Sequence, residues 1–240
     1  CQNYSIAQQR SKSEYLPPDQ LAAASKVPDN NIGIAFTYNE PIIWFEYILK
    51  TAKIIKETYP NFCIVLVTNG YIEAGPLEEL LPFIDAMNID LKSMQQQYYQ
   101  KICGGDLQHV LRTIEMAHKR CHIEITTLLV SGLNDSMDEV KEIASYLSVL
   151  DKNIPLHLSR YFPFYKMRRP ATEVKVMKRA AETAKEYLNY VYLGNVYDCN
   201  NSTYCNKCGK LLIERSGYNV QLYMDEAVCP ACHADIPVEL

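Results

Sequence analysis

From residue 32 onward the sequence alternates strand-like and helix-like segments with a period of about 30 residues. No other feature constrains the fold as strongly. Repeated strand–helix–strand units join parallel strands through crossovers, so the chain reads as α/β with a parallel sheet. The predicted strands are 32–38, 63–68, 84–90, 121–130, 155–160 and 190–193. The predicted helices between them are 41–58, 76–81, 107–119, 137–147 and 173–188, with a short one at 19–25. Pro41 suits a first helical turn with Asn39 as its cap, Pro60 ends that helix, and Asp135 or Ser136 caps the helix from Met137. Six such units suit a barrel or an open doubly wound sheet. No GxGxxG follows a strand, so a dinucleotide fold of the usual kind is not supported.

The 240 residues are ample for one or two domains with a buried core. Apolar residues make up 48% and charged residues 22%, which excludes disorder and low complexity. A net charge of −4 argues against general nucleic-acid binding. No apolar run approaches the roughly 20 residues of a membrane-spanning helix, and the first residues do not read as a signal peptide. A cytoplasmic location, without a membrane partner, is expected. The chain opens on Cys1, not Met, and is read as lacking its natural start.

Nine cysteines are many for such a chain. Four form two hooks, Cys205-x-x-Cys208 and Cys229-x-x-Cys232, separated by 20 residues. This spacing predicts a tetrahedral four-thiolate site, with zinc the expected ion and rubredoxin-like iron or a disulfide pair the alternatives. Residues 210–215 and 218–223 read as strands around a Ser216 and Gly217 turn. The segment 199–240 is therefore a small appended ribbon-like module. Its three cations stand against five acids, which disfavours nucleic-acid binding by the ribbon. Cys63 and Cys121 are expected in the core. Cys103 has no assigned role, and Cys199 sits at the wrong spacing for a hook.

Strand alternation places polar side chains together. Asn88, Asp90 and Lys92 share one face of the third strand. His122, Glu124 and Thr126 share one face of the fourth, and His157 and Ser159 one face of the fifth. A packed barrel interior would carry Val, Ile and Leu at these places. Acids, amides and histidines there are best explained as lining a polar ligand site near the strands' C-terminal ends. For His157 alone, a satisfied core histidine explains the residue equally well. Loops at those ends add Asn39 and Glu40, then Thr68, Asn69 and Gly70.

Together these segments resemble a known family. CQNYSIAQ is similar to the end of the CxxxCxxC cluster motif of radical SAM enzymes. TYNEP, TNGY, NIDLKS, EITTLLVSGLND, PLHLSRYFP and YVYLGNV follow in the order seen in the radical SAM enzymes of the AmmeMemoRadiSam system, relatives of pyruvate formate-lyase activating enzymes. The double hook fits the same subfamily. The resemblance implies a partial (β/α)6 barrel, here without its first strand, over residues 1–198. It implies a 4Fe–4S cluster and S-adenosylmethionine (SAM) as cofactors, beside the zinc of the ribbon. Cys1 would be the third cluster ligand, the other two lying upstream. Glu40 would hold the SAM amino group. Asn39, Thr68, Asn69, Gly70, Asp90 and Lys92 would sit beside the ribose and carboxylate, with Thr126 and His157 nearby. The implied activity is reductive cleavage of SAM and hydrogen abstraction from a protein or a small molecule. An electron donor such as flavodoxin or ferredoxin is then the expected partner, with a protein substrate as a second. Two other readings remain at this point: a cluster-free barrel using Lys92 as a Schiff-base amine, aldolase-like, and a non-enzymatic zinc-ribbon scaffold.

Overall fold

The computed structural model describes residues 4–7, 13–26, 30–197, 199–217 and 219–238. Two short helices, α1 (Tyr4–Ala7) and α2 (Pro18–Ser25), precede the first strand. Six parallel strands follow: β1 (Gly33–Phe36), β2 (Cys63–Thr68), β3 (Ala86–Asp90), β4 (His122–Leu129), β5 (Leu156–Arg160) and β6 (Val191–Gly194). They pair in simple sequence order, leaving β1 and β6 as edges. This is the parallel sheet that the alternation predicts, in the partial barrel that the resemblance implies.

The helices between them are α3 (Phe45–Thr58), α4 (Ala74–Leu80), α5 (Gln96–Tyr98), α6 (Leu107–His118), α7 (Met137–Leu150) and α8 (Val174–Lys185). A 3₁₀ turn, Pro41–Trp44, leads into α3, so the predicted single helix 41–58 is a tight turn joined to a regular one. Glu40, not Asn39, caps it, and the backbone N–H of Ile42 donates to Glu40 Oε1 at 3.1 Å. Asn39 cannot take that place. It stands in the left-handed region at φ 53° beside Tyr38 at φ 63°, and an N-cap is normally extended.

One face of each strand packs on the helices. Ile64, Leu66, Met87, Ile89, Ile125, Leu156 and Leu158 all lie there, fully buried. Each helix meets them with the i, i+3, i+4, i+7 stripe of an amphipathic helix: Val140, Ile143, Ala144 and Leu147 on α7, and Met177, Ala180, Ala181 and Ala184 on α8. Burying one such leucine or isoleucine stabilises the fold by about 1.5–3 kcal/mol. The opposite, concave face holds Asn88, Glu124, Thr126, His157 and Ser159, all half-buried. Apolar and polar residues are thus sorted by the two-residue period of the strands.

Beyond β6 lies a three-stranded antiparallel sheet: β7 (Thr203–Tyr204), β8 (Leu211–Ser216) and β9 (Asn219–Leu222). Its own small core contains Leu212, Ile213, Met224 and Ile236 together with Cys205 and Cys229. Cys199 packs against the barrel core and stays apart from the four-cysteine group. Cys63 and Cys121, expected in the core, are only half-buried. Among the described residues no helix is long and apolar enough to cross a membrane.

Candidate functional site

The C-terminal ends of β1 and β2 are tied together by one carboxylate. Thr68 Oγ1 donates to Glu40 Oε1 at 2.6 Å, and the Asn69 N–H donates to Glu40 Oε2 at 2.7 Å. With the Ile42 N–H, three of roughly four acceptor positions of the carboxylate are used. One remains for a ligand cation. Tyr38 and Asn39, both left-handed, make the bend that turns Glu40 back toward β2. Thr68 itself is buried on the helix-facing side of β2, and its contact is with Glu40. The Asn69 side chain accepts from the Tyr71 N–H at 2.8 Å and so shapes its own turn. Gly70 has φ 70°, and a side chain there would meet Ile89 Cγ2 at 2.8 Å. Its role is to close this turn against β3.

Glu40, Asn69 and Lys92 line one cavity of about 540 Å³ with Tyr98, Tyr99 and Cys103. Lys92 Nζ donates to Asp90 Oδ2 at 2.7 Å. An ammonium held by a carboxylate is not a nucleophile, which weighs against the Schiff-base reading. The Lys92 N–H donates to Tyr99 Oη at 3.1 Å. Burial pushes the Tyr98 phenol up to about 12, and it raises Tyr99 as well, so both remain hydroxyls at neutral pH. Burial also raises the Cys103 thiol.

One residue here was not singled out from sequence. Asn134, 1% exposed, donates to Lys92 O at 2.6 Å and Leu128 O at 2.9 Å, and it accepts from the Val130 N–H at 2.7 Å. It locks the end of β3 to the end of β4. Its segment is part of a recognisable motif, but its partners appear only once two strands are adjacent.

Thr126 and His157 lie lower on the concave face and line a second, larger cavity of about 1800 Å³. Thr126 Oγ1 donates to Asn88 Oδ1 at 2.8 Å. His157 Nε2 lies 2.9 Å from Glu124 Oε2, and His122 Nε2 lies 3.7 Å from the other oxygen. The hydrogen bonds from His122, then His157, hold the Glu124 carboxyl far below the usual range, although burial opposes this. His157 stacks on Tyr192 with ring centroids 5.4 Å apart. Of the predicted site residues, Glu40, Asn69 and Lys92 therefore line the first cavity and Thr126 and His157 the second, while Asn39, Thr68, Gly70 and Asp90 line neither.

The four hook cysteines converge in the ribbon. Their sulfurs all lie within 4.8 Å of one another, with Cys205 to Cys232 and Cys208 to Cys229 both at 3.6 Å. A tetrahedral ion with bonds of about 2.3 Å needs sulfur–sulfur edges of about 3.8 Å, so the cage is sized for one metal. The two hooks share one backbone pattern. The Cys205 N–H donates to Lys210 O and the Gly209 N–H to Cys205 O; the Cys229 N–H donates to Ala234 O and the His233 N–H to Cys229 O. Gly209 and His233, each just after its hook, are both left-handed. Burial raises the Cys229 thiol, but the N–H groups of Ala231 and Cys232 outweigh it and hold Cys229 at about 6. A thiol predisposed to ionise suits metal ligation.

Residues 1–147 match the Radical SAM superfamily. The whole chain is 35% identical over 258 residues to an uncharacterized protein of Methanocaldococcus jannaschii, covering 74% of that protein. A probable GTP 3',8-cyclase of Methanococcus vannielii is 24% identical over 171 residues, which span 65% of this chain and 57% of that protein. Among solved structures, a domain of the pyruvate-formate lyase-activating enzyme from Bacteroides vulgatus superposes with a TM-score of 0.58 at 21% identity, over 68% of this chain and 99% of that one. Streptococcus suis SuiB bound to S-adenosylmethionine gives 0.55 at 11% identity, over 77% of this chain and 43% of that one. At such identities the structural likeness is one of fold. The chain belongs to the Radical SAM superfamily.

That family implies a 4Fe–4S cluster and SAM. The mouth fits SAM: a carboxylate with one acceptor position open, a lysine beside an aspartate, two phenols, and a cavity within the 300–1,000 Å³ usual for small ligands. The predicted cluster ligand, Cys1, lies outside the described residues. Among those residues the ribbon cysteines are the one grouping of three or more metal-ligating side chains.

Proposed function

We propose that this chain is the barrel and ribbon of a radical SAM enzyme related to the AmmeMemoRadiSam and activating-enzyme branch. The observation that carries this reading is the convergence of Glu40, Asn69 and Lys92 on one small-molecule cavity at the strands' C-terminal ends, in a chain of this superfamily. When bound, the cluster and SAM would supply one-electron reductive cleavage of SAM and hydrogen-atom abstraction from a substrate.

The protein's own residues bind and orient. Glu40 offers its open oxygen position to an ammonium group. Lys92, fixed by Asp90 and by the clamp of Asn134, offers a cation to a carboxylate. Val110, Leu128, Val130 and Tyr161 give the cavity apolar walls that exclude water from a reactive intermediate. Asn39, Thr68 and Gly70 act indirectly, by holding Glu40 and Asn69 in place. Zinc in the ribbon, an electron donor of the flavodoxin or ferredoxin type and a cytoplasmic location complete the reading.

The test uses the protein from its natural start, purified without oxygen. With dithionite and SAM it should form 5′-deoxyadenosine. Glu40→Gln should lower kcat/KM for SAM at least tenfold while leaving the iron content unchanged. Absence of 5′-deoxyadenosine from the cluster-loaded wild-type protein would overturn the proposal.

A further inference from the structure

The larger cavity has walls from two modules. The concave barrel face contributes Asn88, Glu124, His157 and Ser159, and the ribbon contributes Thr203 and Arg215. Charge on these walls is unevenly compensated. Both lining carboxylates are already answered. Glu124 lies between His122 and His157. Asp85 accepts from Lys56 Nζ at 2.7 Å and from the Ile64 N–H at 2.6 Å.

Arg215 is half-buried and has no carboxylate partner among the described residues. Its guanidinium carbon lies 5.5 Å from the centre of the Tyr192 ring. Nη1 donates to Thr203 Oγ1 at 2.6 Å and Asn201 O at 3.3 Å, both neutral acceptors. The Tyr192 hydroxyl also takes a hydrogen bond from this side chain, and with five N–H donors a guanidinium still has donors left for an oxyanion. Tyr190, only 5% exposed, lines the same cavity, and its buried hydroxyl has no partner among the described residues. Two more cations, Lys26 and Arg120, stand exposed at the lip. An uncompensated guanidinium and an unanswered hydroxyl donor both call for an acceptor with several oxygens. Asn88, Thr126 and Ser159, on the same walls, suit hydroxyl groups.

We infer that this cavity is the substrate chamber and takes a phosphorylated, hydroxyl-bearing small molecule, with its phosphate on Arg215 of the ribbon. The assignment of substrate rests on the radical SAM reading; the binding itself does not. In this arrangement the ribbon is a wall of the chamber, and its metal holds the phosphate anchor in place.

The test is calorimetric titration of the metal-loaded protein from its natural start with ribose 5-phosphate and with ribose, at constant ionic strength. Ribose 5-phosphate should bind saturably and ribose at least tenfold more weakly. Arg215→Ala should weaken ribose 5-phosphate at least tenfold with the ribbon's metal content retained. Arg215→Lys keeps the charge without the fork, and should fall between wild type and alanine. Equal affinity for the two sugars, or no loss in either variant, would overturn the inference. Wild-type protein that binds ribose 5-phosphate yet forms no 5′-deoxyadenosine would keep the chamber and remove the radical reading.

Discussion

At the scale of single residues, the side chains that matter most are those whose partners come from other strands. Asn134 satisfies three backbone groups at the ends of β3 and β4. Asn134→Ala leaves them unpaired in a buried site and should cost about 2–3 kcal/mol. It should also lower SAM cleavage, because Lys92 loses its backbone anchor; chemical denaturation and 5′-deoxyadenosine formation check the two effects. Glu124 gives a pH signature. Its carboxyl is held below the ordinary value of 4.5, first by His122 and then by His157. A depressed carboxylate stabilises the fold above its unfolded value and loses that contribution as the pH falls below it. Glu124→Gln should therefore lower the melting temperature at pH 7, and the gap from wild type should shrink below about pH 4.5. A gap that stays constant from pH 7 to pH 3.5 would contradict this account. The charge of Glu124 was visible in the sequence as part of a polar face. Its bracketing by two histidines was not, because His157 comes from the neighbouring strand, in register with Thr126.

At the scale of elements, the regular pieces were legible and the irregular ones were not. β2 runs over Cys63–Thr68 as read, since its ends are fixed by a cysteine-led apolar run and a TNG turn. The helices with full apolar stripes also appear where their periodicity puts them. The segment Tyr99–Cys103 forms a π-helical turn closed by left-handed Gly104, and no period announces it. It exists because Tyr99 turns inward to accept the Lys92 N–H. The ribbon hooks carry their own test at this scale. Gly209 and His233 hold the same left-handed position after equivalent cysteines, yet only one is glycine. A side chain there costs about 1–2 kcal/mol in the left-handed region. His233→Gly should accordingly raise ribbon stability by up to about 1 kcal/mol, read as slower metal loss to a chelator. Faster loss would mean that the imidazole has a role that the backbone geometry does not explain.

At the scale of the whole molecule, barrel and ribbon have separate cores joined by a polar seam. The Tyr192 hydroxyl lies 2.8 Å from Thr203 Oγ1, and the Arg215 guanidinium lies over the Tyr192 ring. Tyr192 in turn stacks on His157, so the seam runs from the ribbon into the concave face. Such a seam could not be read from sequence, which showed two modules in succession and nothing of their contact. It has a consequence for metal removal. Among the described residues the ribbon core has six buried side chains, two of them hook cysteines, too few to hold a fold by apolar burial alone. Its order depends on the ion, and binding energy is folding energy in such modules. The barrel core draws on all six strands and their helices and needs no metal from the ribbon. Stripping the ion from the hooks, or replacing Cys232 by Ser, should therefore erase hydrogen-exchange protection across β8 while β3 and β4 stay protected. Amides near Tyr192 should gain exchange as well, because their covering arginine departs. Retained protection of β8 in the metal-free protein would show that the hooks close without an ion. Loss of protection throughout β3 and β4 would show that the two cores unfold as one unit.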